Sequence, residues 1–533
     1  MQRIDFENDA FDGVFERSYD EPAAGWVDGA YVRRVASERP VAFAPVQGGL
    51  PMRGSRLVEE SDALNGDPNT IARTSYYRGT TVRLACAARD YHLAVELTGA
   101  AHDQRVALVV NGESRVRFTL AANMDRTVEL DVPLTKRELE LTFVAADGLD
   151  DASAGEAELS LRALTLTEIR HVPAASPRIL IAADSTVQTY FDEERPQSGW
   201  GEWLYWYLFE GHVATVAHDE TSAVNQARMF SGNGPTIYNK ALGGRGFRTY
   251  TAEHRFERLL GVLRPGDAVV VQFGLNDASK NRPQRYIPLD EYAGWIDRFV
   301  ASIADRGATP VLVTAPPQYH ADGNLDTRND FDDYADVTRA YAAEHGVALI
   351  DLRKLATEYL RGIPAENRRA IFLQADPFQY ASHPDGVRDC VHISTLGAFK
   401  YAGIIARSLA GILPWATLHD VEAAPSAGAA PALESVCNLS ATARRHNVGL
   451  AGDIRWDAPA GADYYTVEKL STETGRLYNR AITIKPSYLD MLLPGQSRHV
   501  VYRVTAWTDG TASEPVSVAL SLPIDDDPCE DLD

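Results

Sequence analysis

The sequence predicts a multidomain protein in which a central α/β domain, built on a three-layer parallel sheet, lies between two all-β sandwiches. Three observations lead to this fold class. The chain has 533 residues, which is too many for a single hydrophobic core. Short segments of β-strand character fill both ends, whereas apolar runs alternate with helical periodicity in the middle. Two segments rich in proline and small residues, 171–177 and 423–431, separate these patterns.

Residues 1–170 are predicted to form the first sandwich, because strand-like segments follow one another without a helical pattern between them. These segments are 80–84, 92–97, 105–110, 138–143 and 157–169. Asn111-Gly112 follows the third segment and is a strong hairpin signal. Glutamate alternates with apolar residues in 138–143, which predicts one buried and one solvated face for that strand.

Residues 178–415 form the predicted α/β domain. Apolar runs of strand length alternate here with helical segments at 289–306 and 333–345. The apolar runs are 178–183, 268–273, 309–314 and 347–352. Such alternation is typical of a parallel sheet covered by helices, in which functional residues lie in loops at the carboxyl ends of the strands.

Residues 433–524 are predicted to form the second sandwich. Its segments are rich in aromatic and β-branched residues, and they are 453–456, 464–468, 501–506 and 514–518. They resemble a fibronectin type III module, and the resemblance implies that Trp456 and Tyr502 are its core aromatic residues.

Composition excludes several classes of partner. The net charge of −22 argues against nucleic acid and anionic membrane surfaces, both of which require basic patches. No apolar stretch approaches the roughly 18 residues of a membrane span. The first residues lack the apolar region of a signal peptide, so a cytoplasmic location is expected, although an export signal already removed would leave the same pattern. Composition does not indicate an oligomeric state.

The four cysteines are far apart and form no Cys-x-x-Cys pair, so free thiols in a reducing compartment are expected. They are Cys86, Cys390, Cys437 and Cys529.

Four short segments of the central region carry the candidate chemistry. Ser185 follows the apolar run 179–182, where a strand is expected to turn into a helix. Gly243-Gly244 and Asn276 come next, and Asp389 and His392 end the series with three-residue spacing. Taken singly, each has a simple structural explanation: a helix cap, a turn, an Asx-turn, or two ligands of a metal. Together, and in this order, they favour a hydrolase.

Each residue type suits one task of acyl transfer. A serine hydroxyl becomes nucleophilic when a base such as His392 takes its proton, and Asp389 can orient that base and stabilise its charge. An oxyanion requires preorganised donors. The backbone N–H groups of Ser185 and Gly244 and the side-chain amide of Asn276 are suitable. Cys390 lies between Asp389 and His392, but its side chain is expected to point away from theirs, so a nucleophilic cysteine is disfavoured.

These segments together resemble the SGNH (GDSL-type) hydrolase superfamily, and most closely its rhamnogalacturonan acetylesterase branch. The resemblance covers about 178–415 and implies a flavodoxin-like α/β/α fold and removal of O-acetyl groups from pectic polysaccharide. It implies Ser185 as nucleophile, His392 as base, Asp389 as orienting residue, and Gly244 and Asn276 as oxyanion donors. The first sandwich resembles the galactose-binding-type domain that precedes some bacterial members.

The chain departs from the family pattern at three positions. Ala183 replaces the usual glycine before Asp-Ser, Leu275 replaces the histidine common in the branch, and Gly246 replaces a frequent serine. No departure removes a catalytic group, so the substrate is less certain than the reaction class.

Two further residues are candidate substrate contacts. Trp200 lies near the nucleophile turn, where a sugar-stacking role and a core role are both open, whereas Trp203 and Tyr207 have helical spacing typical of the core. Arg245, beside the oxyanion glycine, is expected to fix its loop or bind a carboxylate.

The sequence therefore predicts a serine esterase that removes acetyl groups from carbohydrate through an acyl-enzyme, without cofactor or metal. The other histidines of the central region, including His254, show no paired ligand spacing. The partner would be an acetylated oligosaccharide or polysaccharide. The alternatives are a lipase-like SGNH enzyme with another acyl substrate and a non-catalytic carbohydrate-binding protein.

Overall fold

The computed structural model describes residues 1–521, except 9–10, 19–24, 28–29, 33–36, 44–46, 55–57, 64–70, 77, 147–155, 283, 364, 376, 378–379, 381, 420–432, 447–448, 474, 476, 492–498 and 509–511. The predicted linker 423–431 and Cys529 lie outside the described residues. The chain divides into two compact units. The first contains residues 1–182, 244–312 and 330–348, and the second contains 183–243, 313–329 and 349–533.

The N-terminal region consists of β-strands. They are β1 (Gln2–Asp5), β2 (Phe11–Ser18), β3 (Gly25–Val27), β4 (Ala30–Val32), β5 (Ser37–Phe43), β6 (Leu50–Gly54), β7 (Val58–Ala63), β8 (Ile71–Tyr76), β9 (Arg78–Ala85), β10 (Asp90–Gly99), β11 (Gln104–Val110), β12 (Glu113–Leu120), β13 (Asp125–Pro133), β14 (Glu138–Ala145) and β15 (Ala157–Glu168). Most belong to one sheet with the main order β12-β11-β14-β9-β6-β15-β10-β13.

The predicted hairpin is present, because β11 and β12 pair antiparallel on either side of Asn111 and Gly112. Both turn residues have positive φ, as a two-residue hairpin turn of this kind requires. Along β10, buried residues alternate with half-buried ones, and Leu93, Val95 and Leu97 face the main apolar cluster. The strands are therefore as predicted, and the sandwich class stays a prediction.

The solvated face predicted for 138–143 is wrong. On β14, Glu140 is only 4 % exposed. Val109 on β11 and Val144 on β14 belong to a second buried apolar cluster. The Glu140 carboxylate accepts hydrogen bonds from Arg83 at 2.8 and 3.0 Å and forms an ion pair with Lys136 at 2.9 Å. Glutamate is tolerated there because its charge is paired within the protein rather than hydrated.

The central region combines strands and helices. Its strands are β16 (Arg178–Ala183), β17 (Gln197–Ser198), β18 (Thr215–His218), β19 (Arg228–Ser231), β20 (Thr236–Asn239), β21 (Ala268–Gln272), β22 (Thr309–Val313), β23 (Ala348–Ile350), β24 (Phe372–Ala375) and β25 (Val387–Ser394). Its helices are α1 (Leu204–Leu208), α2 (Phe247–Ala252), α3 (Arg255–Val262), α4 (Leu289–Ala304), α5 (Asp332–His345), α6 (Leu352–Gly362), α7 (Ala365–Arg368) and α8 (Thr395–Ile412).

Seven strands form the main α/β sheet in the order β18-β19-β20-β16-β21-β22-β23. Helix α4 connects neighbours β21 and β22, and α5 connects neighbours β22 and β23, which is the connectivity of parallel strands. The prediction of a parallel sheet is wrong at one edge, where β18 pairs with β19 and β19 with β20 in antiparallel fashion. The links between these strands are too short for a helical crossover.

In the first unit, Arg298 on α4 and Arg306 just after it connect this part of the chain to the N-terminal region. Arg306 is 7 % exposed, forms an ion pair with Asp90 and donates to the backbone oxygen of Leu134 at 3.2 Å. Arg298 donates to the backbone oxygen of Thr135 at 3.0 Å. These polar contacts make the N-terminal region part of the same compact unit.

The C-terminal region has two sheets. Its strands are β26 (Cys437–His446), β27 (Gly449–Asp457), β28 (Tyr464–Ser471), β29 (Leu477–Thr483), β30 (Ser487–Met491), β31 (His499–Trp507) and β32 (Val516–Ser521). The sheets have the orders β26-β27-β30 and β29-β28-β31-β32. Trp456 and Tyr502, from different sheets, are buried in one apolar cluster, as predicted for core aromatics. The fibronectin type III class stays a prediction.

Within the second unit, the C-terminal region contacts the central region through a few polar groups. The buried ammonium of Lys400 lies 3.2 Å from the Asp463 carboxylate, and the Tyr380 hydroxyl accepts a hydrogen bond from the Ile482 backbone at 3.3 Å. Among the described residues, no helix is both long and apolar enough to cross a bilayer.

Candidate active site

Ser185 lies in a tight turn directly after β16. The backbone N–H groups of Val187 and Gln188 donate to the Asp184 carbonyl oxygen at 3.2 and 3.1 Å, which closes the turn. The Asp184 side chain accepts from the backbone N–H and the hydroxyl of Thr186 at 2.9 and 2.8 Å. The turn therefore fixes the serine at the end of a buried strand.

The helix predicted after Ser185 is absent, and the chain continues as a turn instead. Asp184 uses its carboxylate to satisfy the turn, a local bond that competes with helix formation. The β-branched residues Thr186, Val187 and Thr189 add to the bias against a helix. The next α-helix, α1, begins at Leu204.

Ser185, His392 and Asp389 form a continuous hydrogen-bonded chain. His392 Nε2 lies 2.8 Å from Ser185 Oγ, and His392 Nδ1 lies 2.7 Å from Asp389 Oδ2. The imidazole is 28 % exposed, so one side of it remains open to a substrate. The structure thus brings together the three residues that the sequence predicted as nucleophile, base and orienting group.

Local hydrogen bonds hold Asp389 and His392 in β25, where the pairing with β24 is irregular. The other carboxylate oxygen of Asp389 accepts from the backbone N–H groups of Val391 and His392 at 2.8 and 2.9 Å. Burial raises the pKa of Asp389, but the hydrogen bond and charge of His392 and these two N–H groups outweigh it and hold the pKa at about 2. Asp389 is therefore ionised at neutral pH.

This arrangement can transfer a proton from serine to histidine. An ionised Asp389 fixes the Nδ1–H tautomer of His392, which leaves Nε2 free to accept the proton of Ser185. The imidazolium that forms is stabilised by the adjacent carboxylate. These are the requirements for an activated serine nucleophile.

Several residues to which the sequence analysis assigned no role hold the nucleophile turn; one of them, Asn239, begins the segment that contains Gly243 and Gly244. The Tyr190 hydroxyl donates to the Ser185 carbonyl oxygen at 2.8 Å. The buried Asn239 amide donates to the Val187 carbonyl oxygen at 2.9 Å. Gln188 Oε1 accepts the backbone N–H of Gly243 at 2.6 Å. No periodicity or spacing in the sequence marks these partners, because each contact depends on tertiary placement.

Gly244 has a backbone conformation that favours glycine, with a φ of 79°. A Cβ atom there would lie 2.6 Å from Nη2 of Arg285, so a side chain would displace this guanidinium. Its backbone N–H has no hydrogen-bond acceptor among the described residues. A free N–H is what an oxyanion donor needs, and the role predicted for Gly244 stays a prediction.

Asn276 is buried in the loop after β21. Its Nδ2 donates to the Arg245 carbonyl oxygen at 3.0 Å, and its Oδ1 accepts from Nη1 of Arg285 at 2.8 Å. Since the guanidinium can only donate and the carbonyl can only accept, the two contacts determine which amide atom is oxygen. One N–H of the amide is left without an acceptor in the described part of the chain. The predicted oxyanion role stays a prediction.

The sugar-stacking role considered for Trp200 is wrong in this structure. Trp200 is fully buried, and its backbone N–H donates to the Thr186 carbonyl oxygen at 3.1 Å. A ring without exposed surface cannot stack on a sugar. Trp203 and Tyr207 are buried as predicted.

Arg245 pairs inside the protein. It is 7 % exposed, and its Nε lies 3.1 and 3.2 Å from the two carboxylate oxygens of Glu253. Its carbonyl oxygen also accepts from Asn276. Of the two roles considered, the structure supports loop fixing and not direct contact with a substrate carboxylate.

Cys390 has an exposed side chain. Its backbone oxygen accepts from the Tyr319 N–H at 2.8 Å. Within the described residues, no hydrogen bond connects its thiol to Asp389 or His392.

One group of possible metal ligands was missed. Glu113, His254 and Glu257 place ligand atoms within 4.8 Å of one another, and His254 and Glu257 have three-residue spacing. The prediction that His254 has no paired ligand spacing is therefore wrong. Arg115 lies 2.6 and 3.2 Å from the two oxygens of Glu257 and 2.7 Å from Glu113. A guanidinium already supplies the positive charge here, which disfavours a metal ion.

Comparison with known proteins identifies the central region. Residues 184–398 match the GDSL-like Lipase/Acylhydrolase family. A probable rhamnogalacturonan acetylesterase, YesY of Bacillus subtilis (strain 168), is 32 % identical over 232 residues, which cover 43 % of this chain and 91 % of that protein. Rhamnogalacturonan acetylesterase RhgT of the same organism is 25 % identical over 232 residues, which cover 44 % of this chain and 89 % of that protein. The uncharacterized esterase YxiM, also from that organism, is 22 % identical over 58 % of this chain and 67 % of its own length.

The match to YesY spans nearly all of that relative, and the matched family segment contains the Ser185–His392–Asp389 chain. This chain therefore belongs to the GDSL-like lipase/acylhydrolase family and is a serine esterase.

Proposed function

We propose that this esterase removes O-acetyl groups from acetylated oligosaccharides, with rhamnogalacturonan-type pectic fragments as the first candidates. The observation that carries the proposal is the hydrogen-bonded chain from Ser185 Oγ through His392 to the ionised Asp389. The names of YesY and RhgT support the substrate class, since both are described as rhamnogalacturonan acetylesterases, one of them probable.

In the acylation step, Ser185 Oγ attacks the acetyl carbonyl carbon while its proton moves to His392 Nε2. The carbonyl electron pair moves to oxygen, and we assign the Ser185 and Gly244 backbone N–H groups and the Asn276 amide as donors to that oxyanion. The bond between the acetyl carbon and the sugar oxygen then breaks. The proton on His392 passes to the sugar oxygen, and acetyl-Ser185 remains.

In the deacylation step, His392 takes a proton from water, and the resulting hydroxyl attacks the acetyl carbon. The bond to Ser185 Oγ breaks, acetate leaves, and the proton on His392 returns to the serine. Asp389 stays ionised throughout and stabilises the imidazolium in both steps.

A lipase-like activity is less compatible with the polar loops 318–330 and 374–385, because a long acyl chain requires an apolar trough. A purely binding function does not explain why all three residues of the proton-transfer chain are present and connected.

The experiment is a panel assay of acetate release. The purified protein and its Ser185→Ala variant are incubated with acetylated pectic, xylan and mannan oligosaccharides, and acetate and products are measured by mass spectrometry. We expect the wild type to release acetate from at least one carbohydrate, with pectic fragments best, and the variant to release none. Hydrolysis of p-nitrophenyl acetate at the full rate by Ser185→Ala would contradict the mechanism. Activity confined to long-chain esters would contradict the substrate class.

A further inference from the structure

Arg285 is a buried cation that takes no part in the proposed acylation and deacylation steps. It is 6 % exposed, and its Nε has no hydrogen-bond partner in the described part of the chain. Among the described residues, its side chain has one hydrogen-bond acceptor, Asn276 Oδ1, which lies 2.8 Å from Nη1. Burying a guanidinium with so few partners lowers the free energy of unfolding, so its presence here calls for a role.

The surroundings of Arg285 do not neutralise its charge. Within the described residues, no carboxylate lies at ion-pair distance from it. Glu253, the nearby carboxylate, is instead bonded to Arg245 and Arg255. Burial, together with repulsion by Arg282 and Arg245, lowers the pKa of Arg285 to about 10, so it still carries its charge at neutral pH.

The Arg285 guanidinium lies against Gly244 and Asn276, which are two of the three residues assigned as oxyanion donors. It donates to Asn276, and it lies so close to Gly244 that a Cβ there would be 2.6 Å from Nη2 and 2.9 Å from Cζ. Because the cation holds Oδ1, the Asn276 amide cannot flip, and its second N–H keeps a fixed direction. The positive charge of Arg285 beside the amide oxygen also polarises the Asn276 amide and makes its N–H a stronger hydrogen-bond donor.

We propose that Arg285 is a positioning residue of the oxyanion hole, which acts through Asn276 by fixing and polarising its side-chain amide. This deepens the proposed function and rests on it. Asn276 makes the contact with the substrate oxyanion, and Arg285 determines how well that contact is formed. Its contribution should appear in kcat, because the oxyanion develops in the transition state and the tetrahedral intermediate and is absent from the bound ester.

The test is a double-mutant cycle on p-nitrophenyl acetate, with Arg285→Met, Asn276→Ala and the combined variant. We expect Arg285→Met to lower kcat about 10- to 100-fold with KM changed by less than about 3-fold. In the Asn276→Ala background, Arg285→Met should lower kcat by less than about 3-fold, because the residue through which Arg285 acts is gone. Arg285→Lys, which keeps the charge and one donor, should recover part of the loss.

Arg282→Met is the matched control, since this neighbouring arginine is exposed and no described hydrogen bond connects its side chain to Asn276. It should retain the wild-type kcat. Circular dichroism and thermal unfolding of each variant exclude loss of fold, and Arg285→Lys keeps the test valid if Arg285→Met does not fold. A wild-type kcat in Arg285→Met, or an undiminished loss in the Asn276→Ala background, would overturn the inference. Full activity in Ser185→Ala would instead overturn the proposed function itself.

Discussion

The two halves of the proposed chemistry are built in different ways. We call Ser185, His392 and Asp389 the nucleophile cluster, and Gly244, Asn276 and Arg285 the arginine cluster. The nucleophile cluster consists of side chains joined by direct hydrogen bonds of 2.7 and 2.8 Å, and its histidine and aspartate are partly exposed. In the arginine cluster, Asn276 and Arg285 are buried and Gly244 is half-buried. This cluster depends on a glycine with positive φ, a fixed amide and, among the described residues, a cation without a carboxylate partner.

The difference follows from what each cluster must do. Proton transfer requires groups that can change charge, and these need access to substrate and a partner that stabilises the charged form. Stabilisation of an oxyanion requires donors that do not move or change charge, and burial holds such donors without reorganisation. Substitutions in the two clusters should therefore differ in how they change kcat, KM and the stability of the fold.

Asp389→Asn should have the largest effect of the substitutions that preserve shape. Asparagine can present its N–H to His392 Nδ1 and stabilise the wrong tautomer, and it cannot stabilise the imidazolium. We expect kcat to fall about 10,000-fold. Steady-state hydrolysis of p-nitrophenyl acetate measures this loss. A reduction of less than about 10-fold would show that Asp389 does not orient the base.

Asn276→Ala should have the next largest effect. Removing one oxyanion donor typically lowers kcat on the order of 100- to 1000-fold, and KM should change little because the ground-state carbonyl needs the donor less. Michaelis–Menten analysis separates the two parameters. A change confined to KM would assign Asn276 to substrate binding rather than to the oxyanion.

Gly244→Ala should reduce both stability and activity. The φ of 79° is unfavourable for alanine, and the added Cβ would displace the Arg285 guanidinium. Such backbone strain costs about 1–3 kcal/mol. Urea unfolding measures the stability change, and Gly323→Ala is a control with positive φ and no atom near the new Cβ. If both variants retain equal activity, the close contact at Gly244 has no catalytic importance.

Asp184→Asn should have the smallest effect on rate, and it should change how the stability of the fold depends on pH. Asp184 is fully buried, its Oδ2 has no partner among the described residues, and burial raises its pKa to about 6 despite the hydrogen bonds from Thr186. The folded protein therefore keeps a proton that the unfolded chain loses from about pH 4 upward. This group stabilises the fold below about pH 4, and the contribution is lost as the pH rises to about 6.

The size of this contribution is on the order of 3 kcal/mol. Unfolding by urea between pH 4 and 7 should show a smaller fall in stability with rising pH for Asp184→Asn than for the wild type. Asp385→Asn, at an exposed position, is the control. Identical pH dependence in wild type and Asp184→Asn would contradict a protonated, buried Asp184.

The nucleophile cluster was predictable from the sequence and the arginine cluster only in part. Asp389 and His392 are three residues apart, and a short turn at this spacing was expected to bring them together; in the structure, local hydrogen bonds within an irregular part of β25 do so. Gly244 and Asn276 were put forward as oxyanion donors because a backbone N–H and a side-chain amide suit that task, and the family resemblance implies the same roles. Arg285 was missed, because a buried arginine nine positions after Asn276 has no distinguishing pattern before the loop is folded.

Other differences have physical causes of the same kind. The turn after Ser185 replaces a predicted helix because Asp184 bonds locally to Thr186. Trp200 is fully buried beside the nucleophile turn, where its backbone N–H donates to Thr186, and a tertiary contact of this kind cannot be read from periodicity. The antiparallel strands β18–β20 follow from connections too short for a crossover, whereas the sequence pattern showed only the strands linked by long helices.

The most direct test of the account is covalent labelling of Ser185. The wild type and Ser185→Ala are treated with diethyl p-nitrophenyl phosphate, which reacts with activated serines, and the labelled peptides are identified by mass spectrometry. The account predicts one label per chain, on the peptide that contains Ser185, with loss of esterase activity in proportion to labelling. It predicts no label in Ser185→Ala and slow labelling in Asp389→Asn. A label on another residue that abolishes activity, or equal labelling of Ser185→Ala, would contradict it.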